Sequence, residues 1–181
     1  MLNAAFYLVK AFTDLYLLTF LLRFILQWVR ADFYNPFSQF IVKATNPLVV
    51  PARRLLPSFG EVDVPTLIVL VLLQGIVTWL LLAMVGAAFG LDTFLIYVVL
   101  RLISLALWLY SISILVYVIL SFFAQASYSP IAMLLGQVVG PVLRPVRRLL
   151  PPIGGLDLSP LVVLIVLQAL MIALQLPTYL R

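Results

Sequence analysis

Apolar residues occur in four long runs, at 2–29, 65–89, 93–123 and 160–176, and the runs are separated by stretches rich in proline and arginine. Crossing the hydrocarbon core of a membrane takes about 20 residues of helix, so the first three runs are long enough and the last is barely sufficient. The pattern predicts an all-α membrane protein with four transmembrane helices.

The connection between the first two runs returns after the third run. Residues 47–57, PLVVPARRLLP, match residues 141–151, PVLRPVRRLLP, at an offset of 94 residues. A long-range match of this kind indicates that one unit is used twice. We predict a first repeat at 1–90 and a second at 91–181, each a helical hairpin with a basic, proline-rich connection. Two crossings per repeat insert both units the same way up, so a pseudo-twofold axis along the membrane normal is expected. The repeated positions expected to be structural are Pro47, Pro51, Pro57, Asp63, Pro141, Pro145, Pro151 and Asp157.

The prolines of each connection predict a short helix. Pro47 suits a first helical turn, with Asn46 as its cap. Pro51 lacks the N–H that would bond to residue 47, so the helix should kink or restart there. Pro57 bars continuation, because the residue before a proline is pushed out of the helical region. The neighbouring residues are too apolar for a free loop, so we predict a short amphipathic helix in the membrane interface of each repeat.

Charge sets the orientation of the predicted spans. The chain is 65% hydrophobic and 9% charged, with a mean hydropathy of +1.23, whereas soluble domains carry about 25% charged residues. Most of the basic residues lie in the two connections. The positive-inside rule therefore places both connections in the cytoplasm and both termini outside it.

The arginines of the connections have two interpretations. They can bind lipid phosphate or an acidic partner segment, at about 1 kcal/mol per residue. More simply, they can set the topology and anchor the chain by snorkelling. The candidate residues are Arg53, Arg54, Arg144, Arg147 and Arg148. Asp63 and Asp157 precede a span in each repeat, where helix capping is favoured over an ion pair with these arginines.

A second set of charges lies within the predicted spans. Lys10 and Asp14 are four residues apart on one face of the first helix and can pair. Arg101 lies on the same outer side as Asp14, so an interhelical pair can form. Such groups are costly in lipid, and they indicate either an ion or proton path or a structural pair with snorkelling. The members of this set are Lys10, Asp14, Arg23 and Arg101.

The residue inventory argues against an enzyme. The chain has no Cys and no His, which excludes disulfides, thiolate chemistry and the usual ligands of zinc and haem iron. It also lacks a phosphate-cradling glycine loop. We expect no catalytic residue, no metal and no cofactor. The basic excess points to topology and anionic lipid, so no direct nucleic-acid partner is expected.

The motifs around the connections also resemble a known family. In the first copy they are Asn35-Pro36-Phe37, Pro47, residues 51–57 (PARRLLP), Gly60 and Asp63. In the second copy they are Ser129-Pro130, Pro141, residues 144–152 (RPVRRLLPP), Gly154 and Asp157-Leu-Ser-Pro160. Together they resemble the YggT family, also called YlmG, of bacterial and plastid membrane proteins, over essentially the whole chain.

The resemblance implies a bacterial inner-membrane protein. It implies links to osmotic-stress tolerance and ion uptake or to cell division, and, for plastid members, to nucleoid distribution and cytochrome maturation. Our leading hypothesis is a non-enzymatic scaffold or assembly factor that contacts anionic lipid or an unidentified protein partner and self-associates. The competing hypothesis is an oligomeric ion channel or transporter subunit.

Overall fold

The computed structural model describes residues 4–55, 62–123, 129–150, 157–174, 176–177 and 180. Within these ranges it contains six helices, so the all-α class is confirmed. The helices are α1 (Ala4–Trp28), α2 (Pro36–Leu55), α3 (Val64–Met84), α4 (Leu91–Ser121), α5 (Pro130–Leu149) and α6 (Ser159–Ala173).

Three of the described helices are long and apolar enough to cross a membrane. These are α1, α3 and α4, with 25, 21 and 31 residues. The apolar helix α6 has 15 residues, which at 1.5 Å per residue give about 22 Å against a hydrocarbon core of about 30 Å. The three long helices suggest a membrane protein, and the arrangement with four spans stays a prediction.

The second apolar run ends earlier as a helix than its sequence predicts. Helix α3 stops at Met84, and Gly86 takes a left-handed conformation with φ +66°. The N–H of Ala87 donates to the carbonyl of Leu82 at 3.1 Å, which satisfies a terminal carbonyl in the pattern typical of a glycine-terminated helix. Backbone chemistry at Gly86, and not hydropathy, therefore ends α3.

The prolines do not divide the connections as predicted. We expected a short helix that begins at Pro47 and breaks or restarts at Pro51, but α2 runs for 20 residues with both prolines inside it. Helix α5 has the same length and contains Pro141 and Pro145. Each proline removes one backbone hydrogen bond, and packing along a continuous buried face compensates. In α2 that face consists of Ser38, Ile41, Thr45 and Val49.

The two groups of three helices are internally packed in the same way. Helix α1 contacts α2 and α3, and α4 contacts α5 and α6. Contacts of α4 with α1 and α3, and of α2 with α5, join the groups. Among the described helices, the packing of α3 on α4 has no counterpart of similar extent between α6 and α1. The interface between the groups therefore departs from twofold symmetry.

The turn after α1 is fixed to the second group by hydrogen bonds. The side-chain amide of Asn35 donates to the carbonyl of Pro130 at 2.6 Å, and the N–H of Asp32 donates to Gln137 Oε1 at 3.1 Å. Ser38 and Ala132, which are equivalent in the repeat, are both buried. Helices α2 and α5, which carry these residues, are also in contact with each other.

Candidate functional site

The structure separates the four intramembrane charges into two clusters. Lys10, Asp14 and Arg101 form one, which we call the α1–α4 cluster. Arg23 lies in the other, with Arg53 and Asp63, which we call the α2–α3 cluster. Lys10 and Arg23 are 13 residues apart on α1, or about 20 Å along the helix axis. Arg23 is therefore too far from Lys10 and Asp14 to contact them, and its partners are on other helices.

The α1–α4 cluster is centred on one carboxylate. Asp14 accepts from Lys10 Nζ at 2.9 Å through Oδ2, and from the guanidinium of Arg101 at 2.5 Å through Oδ1. Arg101 is buried and also lies 3.5 Å from Thr78 Oγ1 on α3. Gln74 donates to the same hydroxyl at 3.1 Å. The cluster thus joins α1, α3 and α4 through charge-assisted hydrogen bonds.

A cavity of about 490 Å³ adjoins this cluster. Its lining includes Lys10, Asp14 and Arg101, and no α3 residue lines it. Much of the remaining wall consists of leucines and a tryptophan: Leu15, Leu18, Leu105, Trp108 and Leu180. The cavity therefore combines a charged end with an apolar surface.

Arg23 organises the α2–α3 cluster from α1. Its side chain is buried, and one terminal nitrogen donates to Thr45 Oγ1 at 2.6 Å and to Asn46 Oδ1 at 2.9 Å. The same nitrogen lies 3.3 Å from the carbonyl of Val42. These bonds hold α2 just before Pro47, where the helix loses one of its own hydrogen bonds.

Asp63 joins the end of α2 to the start of α3. Its carboxylate accepts from Arg53 at 2.6 Å, from Thr66 Oγ1 at 2.6 Å and from the Thr66 N–H at 3.4 Å, and Arg23 Nε lies 4.0 Å away. Capping and ion pairing, the two roles considered for this residue, thus occur on one carboxylate. Burial acts to raise the pKa of Asp63, but the hydrogen bonds from Thr66 and Arg53 and the Arg53 charge lower it below its ordinary 3.8. A carboxylate whose pKa is lowered from 3.8 is unsuited to proton transfer near neutral pH.

The second repeat builds a more exposed version of this cluster. Arg147 Nε donates to Asp157 Oδ2 at 2.8 Å, and Asp157 Oδ1 accepts from the Ser159 N–H at 2.9 Å. Tyr117 also hydrogen-bonds to Arg147, and it occupies the position equivalent to Arg23. Burial acts to lower the pKa of Arg147, but the bonds to Asp157 and Tyr117 raise it. Burial acts to raise the pKa of Asp157, but the bonds from Ser159 and Arg147 lower it.

The remaining arginines of the connections point outward. Arg54, Arg144 and Arg148 are exposed, and none of them has a carboxylate partner among the described residues. Each Arg-Arg pair is therefore divided: Arg53 and Arg147 bind an aspartate of the same repeat, and their neighbours Arg54 and Arg148 face outward.

Two predicted positions lie outside the described residues, and three residues that contact the charged groups were not predicted. Pro57 and Pro151 lie outside the described residues. Thr45, Thr78 and Tyr117 bind the charged groups but were not predicted to do so. Tyr117 could have been found from the repeat, because the 94-residue offset makes it the equivalent of Arg23 in the second unit.

Comparisons with known proteins agree with the motif resemblance. The sequence model for the CCB3/YggT family matches residues 2–85 and again residues 96–178. An uncharacterized protein of Pseudomonas aeruginosa is 45% identical over 168 residues, which cover 92% of this chain and 85% of that protein. The uncharacterized protein YggT of Escherichia coli K12 is 37% identical over 174 residues, covering 93% of this chain and 88% of the relative. No solved structure matches the chain. Because the family match spans most of the sequence in two segments and these relatives align along nearly all of it, the chain belongs to the CCB3/YggT family.

Proposed function

We propose that this protein is a non-enzymatic, multi-pass protein of the bacterial inner membrane that acts as a scaffold or assembly factor. Its α2 and α5 helices lie at the cytoplasmic interface, with both termini on the periplasmic side. The exposed arginines of these helices bind anionic lipid headgroups and so define a platform on which other components assemble. The resemblance in sequence motifs links this role to osmotic-stress tolerance or cell division.

The observation that carries the proposal is the division of each Arg-Arg pair. In both repeats the first arginine binds an aspartate ten residues later, which holds the helix end in place. The second arginine is exposed beside that fixed point. A topology signal alone needs only positive charge, whereas this arrangement places Arg54 and Arg148 at equivalent positions, each next to an arginine that is bound to an aspartate. A planar guanidinium whose donors are not used within the protein suits phosphate recognition.

Lipid retention tests this proposal. The purified protein is released from nanodiscs that contain phosphatidylcholine and a small fraction of phosphatidylglycerol, and the bound lipid is counted by native mass spectrometry. Changing Arg54, Arg144 and Arg148 to Gln should reduce phosphatidylglycerol retention and leave the fold intact, because these side chains have no described intramolecular partner. Added salt should weaken retention in the unaltered protein.

Lys43→Gln is the matched control, since Lys43 is an exposed cation on α2 outside the Arg-Arg pair. Equal losses of phosphatidylglycerol retention in the control and the triple variant would show that the arginines act only through their positive charge. Unchanged retention in the triple variant would refute lipid binding at these residues and favour an acidic segment of a protein partner.

The alternative is an oligomeric channel or transporter subunit, and the cavity beside Asp14 and Arg101 is the observation that supports it. Ion flux into proteoliposomes containing the purified protein tests this alternative, with Asp14→Asn as the variant. Flux that exceeds empty vesicles and changes in the variant would favour transport, and no flux would argue against autonomous transport.

A further inference from the structure

The cavity beside the α1–α4 cluster is built from equivalent positions of the two repeats. At the 94-residue offset, four positions on α1 correspond to four on α4, and all eight line the cavity. The pairs are Tyr7 with Arg101, Lys10 with Ser104, Ala11 with Leu105, and Asp14 with Trp108. Both repeats therefore line the cavity from equivalent positions, and the side chains differ in charge or polarity at three of the four pairs. An arrangement that served only to pack two identical helices would not need this difference.

The charges that line the cavity are unbalanced. Lys10 and Arg101 both bind Asp14, which is the only acid among the described residues of the lining. Two cations and one carboxylate leave an excess charge of +1 between two helices long enough to span the membrane. Unpaired charge is costly in such a place. A ligand with one negative charge would balance the cluster.

Hydrogen-bond donors also remain for such a ligand. Arg101 has five N–H groups and Lys10 has three. Among the described residues, Asp14 and Thr78 take two bonds from Arg101, and Asp14 takes one from Lys10. Tyr7 and Ser104, which each carry a hydroxyl group, also line the cavity.

The size and walls of the cavity decide against a small inorganic anion. A volume of about 490 Å³ lies in the range of about 300–1,000 Å³ that is typical of sites for drug-sized ligands. Its large apolar walls are Leu15, Leu18, Leu105 and Trp108, with Leu180 from the C-terminal segment. These side chains favour an aliphatic chain over water.

We propose that this cavity binds an amphiphilic monoanion, with its carboxylate or phosphate on the N–H groups of Lys10 and Arg101 that Asp14 does not use and its aliphatic chain along the leucines and Trp108. A free fatty acid and an anionic phospholipid share this chemistry. The site is distinct from the exposed arginines of α2 and α5, because it is built by other residues on α1 and α4.

Spin-labelled lipids in phosphatidylcholine nanodiscs test the proposal. Stearic acid, phosphatidylglycerol and the methyl ester of stearic acid are each labelled, and the motionally restricted fraction is measured at a pH where the acid is ionised. Lys10→Gln removes one cation and should weaken binding of the anionic probe about 10-fold. Ala11→Trp keeps every charge but fills the cavity from an exposed position, and it should abolish the same component. Arg54→Gln is the control and should leave this component unchanged.

Each outcome decides the proposal. Restriction of stearic acid that is lost in both cavity variants supports a fatty-acid site, and the same result with phosphatidylglycerol alone supports a phospholipid site. Equal restriction of the methyl ester would show that charge does not matter and would overturn the proposal. Binding that survives Lys10→Gln and Ala11→Trp would also overturn it. Size-exclusion profiles and helix content confirm that each variant is folded.

Discussion

Asp63 and Asp157 occupy equivalent positions, but their substitution should have very different effects. The side chain of Asp63 is 0% exposed and that of Asp157 is 36% exposed, although each binds the arginine ten residues before it. The change to Asn keeps the size of each side chain and removes its charge. The two variants therefore compare the same arginine–aspartate contact in a buried and in a partly exposed environment within a single chain.

The structure sets the expected magnitudes. Asp63→Asn leaves Arg53 without its partner and leaves the buried Arg23 without the nearest negative charge. Breaking a buried ion pair by removing one partner costs about 3–5 kcal/mol, and we expect about 3 because Arg53 is partly exposed. Asp157→Asn breaks a pair in which both side chains are partly exposed, so a loss below about 1 kcal/mol is expected.

Unfolding in mixed detergent micelles measures both changes. Increasing the proportion of SDS unfolds the helical protein, and tryptophan fluorescence follows the transition. Arg53→Gln is the third variant, and it should cost less than Asp63→Asn because Asp63 keeps Thr66 and Arg23 as partners. Equal losses for Asp63→Asn and Asp157→Asn would refute the argument that burial decides the value of this contact.

Three further predictions concern titration, packing and backbone conformation. Folding lowers the pKa of Asp63, so its contribution to stability is complete above its unfolded pKa and is lost as the pH falls below about 4. Unfolding midpoints measured across this range should fall in the unaltered protein, and they should fall less in Asp63→Asn. Ser38 is fully buried, and its hydroxyl has no hydrogen-bond partner among the described residues. Ser38→Ala should therefore be neutral or stabilising in the same assay. Ser38→Leu should cost about 1–3 kcal/mol of unfolding free energy, because the larger side chain overpacks the helices around it. Gly86→Ala should cost about 1 kcal/mol of unfolding free energy, because a φ of +66° is strained for alanine, although nothing lies within 4 Å of the added methyl group. Gly75→Ala should not destabilise the protein, because Gly75 lies inside α3 and the added methyl group would meet Phe94 at an ordinary 3.9 Å.

Helical periodicity predicted the local contacts of the charged residues well. The spacing of Lys10 and Asp14 predicts their pairing, and the shared outer side of Asp14 and Arg101 suggests the contact between α1 and α4. Arg23 could not be placed in the same way. A helical wheel gives the direction of a side chain around the axis, but the partners of Arg23 are on α2, which the wheel does not include.

The prolines show the opposite limitation. Local rules predict that Pro47 and Pro51 divide the connection, because each removes a hydrogen bond. The structure keeps one helix since tertiary contacts replace what the prolines remove: Thr45 and Val49 are buried, and Arg23 binds the helix beside Pro47. Those contacts come from α1, so no window of sequence around the prolines contains them.

The two repeats share the residues that join their helices but differ in the residues that line the cavity. The residues that join each basic helix to the next one, Arg53 with Asp63 and Arg147 with Asp157, are the same in both units. The pairs that line the cavity differ between the two units, and the charged residues among them together create the excess charge.

Trp108→Asp tests that interpretation directly, because it gives the second repeat the acid that Asp14 supplies in the first. Trp108 lines the cavity with Lys10 and Arg101, so an introduced carboxylate has cations nearby to offset the cost of its charge. A second carboxylate would balance Lys10 and Arg101 and should reduce binding of a labelled anionic amphiphile, whereas Trp108→Asn removes the same ring without adding charge. If the Asp and Asn variants bind the probe equally, loss of the indole wall is sufficient to explain the effect, and the excess charge is not what recognises the ligand.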